Sequence, residues 1–288
     1  MAPVTPKLAA TVMLLRDSAA GPEIFVQQRV GSMKFAANMT VFPGGGVDPR
    51  DFEANSGVDP RLTEQIATRL SLDAATTQAL LCAAVRETFE ETGTLLVAAP
   101  SGSSHQDCDS DPAAPTAQSH HFAPGRYQQQ RLLLQNRTLS LTDFLHDSGL
   151  HLAPELLQPW ARWVTPEFNP IRYDTYFFLA AHPPGQLADG ETSEARSVGW
   201  YRPGQLLEQW RRHEISLMPP TWAELTRIQQ ASSVTEALEQ ARANPVRQTT
   251  TDFVEAPFMQ EYFRIANHSG LIHPRPRLSG AGTQAPEE

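Results

Sequence analysis

The order of its strand and helix patterns predicts an α/β (α+β) fold for this chain, and three observations carry that expectation. Apolar runs at residues 8–15 and 23–29 flank the turn-rich D-S-A-A-G-P, as in a strand pair. A helix-periodic stretch opens at Asp73 and stops at Gly93. Beyond it, segments 160–165, 175–181 and 196–201 have the aromatic and β-branched content of strands and lie among helix patterns.

Taken in order, residues 8–15 read as the first core strand, 23–29 as its partner, and 39–42 as a short third strand that runs into Gly44, Gly45 and Gly46. The stretch opening with D-P-R-D-F-E carries an amphipathic helix over 61–70, with Leu62, Ile66 and Leu70 at a spacing of four. Asp73 is an N-cap for the next helix, in which Ala75, Ala79, Leu80, Ala83 and Val85 supply apolar surface to press on the sheet. Residues 99–125 offer almost nothing to bury and read as a linker; its His105, His120 and His121 are weighed as polar residues ahead of metal ligands. Helices are expected over 126–134, 139–145, 203–210 and 221–229, with a C-terminal helix and Pro-rich tail over 231–288. The 126–145 segment and the stretch before Asp73 would serve either as walls for a large substrate or as a homodimer surface.

Chemistry concentrates at residues 86–93, R-E-T-F-E-E-T-G. Glu87, Glu90 and Glu91 stand at i, i+3 and i+4 and so share one helical face. Carboxylates that close repel unless a cation sits among them, and all-oxygen ligation suits Mg2+ or Mn2+. The competing reading is a solvated acidic face with basic partners. Against it, the acids occupy a last turn ahead of Gly93, where carbonyl ends disfavour anions. The glycine turn in V-F-P-G-G-G-V-D permits close approach of backbone to a ligand. Arg86 is expected to fork onto a neighbouring glutamate. Arg29 and Lys34, ahead of the glycines, read either as phosphate contacts or as surface charges, while Glu191 in D-G-E-T-S-E reads as a solvent-facing turn.

F-P-G-G ahead of R-E-T-F-E-E-T-G resembles the Nudix hydrolase family, whose signature is G-x5-E-x7-R-E-U-x-E-E-x-G-U, with U aliphatic. The match falls on Arg86, Glu87, Glu90, Glu91 and Gly93; Thr88 and Thr94 depart from the aliphatic positions, and Gln78 stands where the early Glu would fall. Gly45 and Arg86 lie 41 positions apart where the uninterrupted signature has 14, an insertion of 27 residues. That insertion, with W-A-R-W-V-T-P and R-Y-D-T-Y-F-F-L, resembles a branch that includes peroxisomal coenzyme A diphosphatases.

The resemblance implies an α/β/α sandwich with a mixed sheet over residues 1–230, interrupted at about 47–74 inside the signature. It implies metal-dependent hydrolysis of a diphosphate joining a nucleoside to another group. Coenzyme A or acyl-coenzyme A is one substrate class, ADP-ribose or NADH the alternative, and a nucleotide sensor without turnover the alternative of another kind. Glu87, Glu90, Glu91 and the Gly44 carbonyl would hold Mg2+ or Mn2+; Glu90, Glu87, Arg86 and Glu194 would be catalytic, Glu194 as an added ligand or base; Arg29 and Gly45 would meet substrate.

Composition agrees with such an enzyme: 288 residues, 40% of them hydrophobic, suffice for a sizeable core. A net charge of −9 argues against nucleic-acid binding. Two cysteines, Cys82 and Cys108, make no disulfide framework, and the expected compartment is the reducing cytoplasm. The run at 8–15 is too short to span a bilayer, so no membrane association is expected. The A-P-E-E ending is not a Ser-Lys-Leu-like address.

Overall fold

A computed structural model of the chain describes residues 4–31, 36–53, 58–98, 123–167, 169–249 and 257–268. The strands are β1 (Lys7–Ser18), β2 (Gly21–Arg29), β3 (Thr40–Val41), β4 (Gly44–Gly46), β5 (Val97–Ala98), β6 (His151–Leu152), β7 (Gln158–Val164), β8 (Tyr173–Ala181), β9 (Ala195–Tyr201) and β10 (Arg247–Thr249). The helices are α1 (Pro60–Leu70), α2 (Ala74–Thr92), α3 (Gln128–Gln135), α4 (Leu141–Ser148), α5 (Pro203–Arg211), α6 (Pro219–Ile228), α7 (Val234–Ala243) and α8 (Gln260–His268). Lys34, Cys108, His105, His120 and His121 lie outside the described residues.

β1 organises the molecule because its side chains alternate between two cores. Ala10, Val12 and Leu14 face one side with Phe25, Tyr176 and Phe178, and α2 covers them. Met13 and Leu15 face the other with Ile24, Val26, Phe177 and Leu179, beneath Leu206, Trp210, Trp222 and Leu225 of α5 and α6. Two covered faces make the α/β/α sandwich with a mixed sheet: β8 runs parallel to β1 and β10 to β7, whereas β2 is antiparallel to β1 and β7 to β8.

The sheet forks where it builds the site. β1 pairs with β2 only from Leu15 to Ser18; at its other end, Ala9, Ala10 and Thr11 pair with Gly46, Gly45 and Gly44 of β4. β3 meanwhile pairs with Gln27 and Gln28 of β2, so the segment from β3 to β4 fills the gap between the diverging strands. Gly44 sits at φ +156°, and a Cβ there would collide with the Ala10 carbonyl and the Thr11 backbone. The fork accepts only a glycine at that position.

Expected and observed elements differ most near the C-terminus. Past residue 230, α7 starts on a Ser233 cap and buries Ala237 and Ala241 in the second core, and β10 extends the sheet beside β7. A ten-residue helix that buries small alanines gives little periodic signal, and its Pro-rich surroundings read as a tail. α2 also differs from a one-sided amphipathic helix: Leu81, Cys82 and Ala84 are as buried as the sheet-facing Ala79 and Ala83, because α1 and the α3–α4 pair close over its outer side. Among the described residues, no helix is long and apolar enough to cross a membrane.

Candidate active site

α2 is capped at both ends, which sets the acids in register. The Asp73 side chain accepts from Thr76 N at 2.8 Å, and Gly93, left-handed at φ 74°, closes the last turn by donating to Phe89 O at 2.9 Å. The turn before Gly93 then lies against the glycine strand β4.

Glu91 is 3% exposed, and its Oε2 accepts from Gly44 N at 2.9 Å and from Gln27 Nε2 at 2.7 Å. Burial, followed by the charge of Glu87, pushes its carboxyl well above the usual carboxylate range. Glu87 lies on Gly45, where a Cβ would run into its carboxylate; its Oε1 accepts from Arg86 Nη1 at 2.7 Å. Burial raises Glu87 as well, against the lowering influence of Arg86. Glu90 has the loosest hold, 3.4 Å from Arg86 Nη1, and burial with the nearby Glu87 charge moves it up to about 7.

The Arg86 fork does not close on a glutamate, contrary to the expectation from the sequence. Nε and Nη2 meet Oδ1 and Oδ2 of Asp51 at 3.0 and 2.9 Å, Nη2 also donates to Gly46 O, and only Nη1 remains for Glu87 and Glu90. Asp51 is 3% exposed and belongs to the inserted segment, within a capping box in which it accepts from Asp48 N. Burial works against the Arg86 charge, yet the Asp51 hydrogen bonds and the charge of Glu87 hold its pKa above the ordinary arginine value. D-P-R-D signals the local box, but nothing in the sequence points Asp51 at an arginine 35 positions on.

Arg29 ends β2 and Glu194 immediately precedes β9, and their side chains meet at 3.3 Å. Glu194 is near enough for its charge to raise both Glu87 and Glu91. Its side chain is 45% exposed, so it stands at the mouth of the cluster, and Glu191 instead accepts from Gln128 at 2.6 Å on the surface. Gln27 is a further residue that sequence reasoning misses; the alternation Phe25, Gln27, Arg29 puts it on the α2 face, a signal the sequence does carry.

Five carboxylates, those of Asp51, Glu87, Glu90, Glu91 and Glu194, thus share two guanidinium groups, Arg86 and Arg29. Among the described residues no three acidic, His or Cys side chains form a ready-made metal shell, since Glu87 and Glu90 turn to Arg86 and Glu91 to Gly44. The donor set still fits a hard divalent cation: it is all oxygen, and burial together with the charges of neighbouring carboxylates holds Glu87, Glu90 and Glu91 above their ordinary pKa.

A sandwich whose central helix presents such a cluster to a glycine strand is the arrangement of a Nudix domain. The NUDT19 Nudix domain family is matched over residues 59–228, more than half of the chain, and the chain belongs to it. Two proteins named acyl-coenzyme A diphosphatase NUDT19 are similar: that of Xenopus laevis is 25% identical over 72% of this chain and 59% of its own length. That of Gallus gallus is 29% identical over 74% of this chain and 63% of its own. The matched region therefore spans about 60% of those relatives. The crystal structure of a NUDIX hydrolase from Alicyclobacillus acidocaldarius superposes with a TM-score of 0.62 at 26% identity, covering 82% of this chain and 96% of that one.

Proposed function

We propose that this chain hydrolyses a diphosphate bond in coenzyme A or acyl-coenzyme A with the help of Mg2+ or Mn2+. The observation that carries the reading is the under-compensated carboxylate cluster on α2 against Gly44 and Gly45, and the names of the two curated relatives support the substrate class. ADP-ribose or NADH remains the alternative substrate and nucleotide sensing without turnover the alternative function.

Glu87, Glu90 and Glu91, with the Gly44 carbonyl, are the groups we assign to the cation, which when bound neutralises the diphosphate and lowers the pKa of a water. Arg86 orients Glu87 and Glu90 through Nη1 while Asp51 fixes its other edge. Gly44 N–H and Gln27 aim Glu91. Glu90, the most weakly held of the three, takes a proton from the attacking water, with Glu194 as the second candidate base. Arg29 steadies Glu194 and, with Gly45, lines the approach of the substrate phosphates.

Product analysis tests the substrate. Incubation with Mg2+ or Mn2+ and, separately, coenzyme A, acyl-coenzyme A, ADP-ribose and NADH is expected to release 3′,5′-ADP from the first two; cleavage of only the others would discard the coenzyme A reading, and silence across the panel would favour the sensor.

Acidity offers a second test without substrate. The Glu90 carboxyl is raised from 4.5 to about 7 in the folded protein, so folding favours its neutral form. That stabilisation is present below the unfolded value and is lost as pH rises through the folded one. Without metal, the melting midpoint is therefore expected to drop between about pH 5 and about pH 8, and the Glu90→Gln protein to drop less. Added Mg2+ should raise the wild-type midpoint most at the alkaline end. Equal pH slopes in the two proteins would refute the assignment of this carboxyl.

A further inference from the structure

We propose that Arg131 is a positioning residue, which ties the turn of α2 bearing Glu90 and Glu91 to the loop bearing Glu194. The inference rests on the hydrolase reading above.

Arg131 belongs to α3, outside the signature and beyond the polar linker, yet it is 1% exposed. Its Nε donates to Glu90 O at 3.0 Å, and its Nη1 meets Asp189 at 2.8 Å to Oδ1 and 3.0 Å to Oδ2. Gln135, one turn on, donates to the same Glu90 O at 2.6 Å and to Glu191 O at 3.2 Å. Asp189 N in turn donates to Thr92 O at 2.8 Å. Two of the last carbonyls of α2, which a helix leaves without internal partners, are thus taken: Glu90 O by α3 and Thr92 O by the loop that leads to Glu194.

Capping alone does not account for this arginine. Gly93 already closes the helix, and a cation near the last turn does its electrostatic work without full burial. Arg131 is buried, and among the described residues its Nη2 has no hydrogen-bond partner, a cost that packing for stability would avoid. What the guanidinium supplies is a planar fork whose separate Nε and Nη1 reach Glu90 O and Asp189, where an ammonium offers a single nitrogen. Gly93 leaves room for it: a Cβ there would stand 3.0 Å from Arg131 Nη1 and 3.1 Å from Asp189 Oδ2. A displacement of about 1 Å at catalytic groups is enough to cost about a hundredfold in rate, so a clamp on both acid-bearing segments acts on turnover through geometry.

The test compares Arg131→Lys and Arg131→Gln in the full chain with wild type and with Leu132→Ala, an exposed position on the same helix, as a neighbouring control. Mn2+ affinity is read by electron paramagnetic resonance, hydrogen exchange is followed over residues 189–194 without metal, and kcat, KM and melting midpoint are measured alongside. Arg131→Lys is expected to melt near wild type, to bind Mn2+ about tenfold more weakly, to lose kcat with KM little changed, and to exchange faster at 189–194. Wild-type Mn2+ affinity and kcat in Arg131→Lys, or losses in both variants that follow the melting midpoint alone, would overturn the proposal. Should wild type bind no Mn2+, the hydrolase reading fails, and unchanged exchange at 189–194 would then overturn the clamp separately.

Discussion

The Glu90→Gln protein is expected to fold as the wild type does and to turn over substrate about a thousandfold more slowly, at any Mg2+ concentration. Glutamine keeps the volume and the polar contact with Arg86 while removing the negative charge. Because burial and Glu87 already disfavour that charge, its removal relieves repulsion in the metal-free protein, and the melting midpoint should hold or rise. Chromatography of the products from coenzyme A, together with thermal melting, separates the two effects. Activity within a fewfold of wild type would sink the assignment of Glu90 to the reaction; loss of activity with a collapsed melting midpoint would mean that the residue is structural.

Arg86→Met should give the largest loss of stability, about 3–5 kcal/mol, because it strands Asp51 as a buried charge and takes the partner of Glu87 away. In a domain of this size that corresponds to a melting midpoint lower by about 10 °C. Exposed ion pairs contribute far less, so Arg212→Met, which breaks a surface pair with Glu208, should cost at most about 1 kcal/mol. Adding Asp51→Leu to Arg86→Met removes the stranded charge and should return part of the stability, as measured by urea unfolding. It should return none of the activity, because Glu87 and Glu90 still lack the guanidinium that aims them. Recovery of turnover in the double variant would show that Arg86 serves the fold alone.

Much of the site is legible in the amino-acid sequence because its signals are local. The spacing of Glu87, Glu90 and Glu91 sets one helical face, Asp73 and Gly93 bracket the helix by capping chemistry, and alternation along β1 separates two cores. Those relations span a few residues and follow from the geometry of the turn or the pleat. The insertion between Gly45 and Arg86 is equally visible as a break in spacing, but its purpose is not: Asp51, the partner of Arg86, comes from inside it.

What the amino-acid order supplied by itself was the candidate chemistry: three carboxylates, an arginine and a glycine turn at spacings that resemble a Nudix signature, on an α/β scaffold. Only the tertiary structure decided which groups meet. Gln27 reaches Glu91 across 64 positions, Arg131 reaches Asp189 across 58, and Arg29 reaches Glu194 across 165. Helix and strand periodicities say which side a residue faces, whereas a partner so far along the chain is chosen by how the sheet forks, how α3 docks on α2 and which loops cross the open edge. Those choices are made by packing over the whole core, which is why the candidate acids could be read from the sequence and the groups that hold them in place could not.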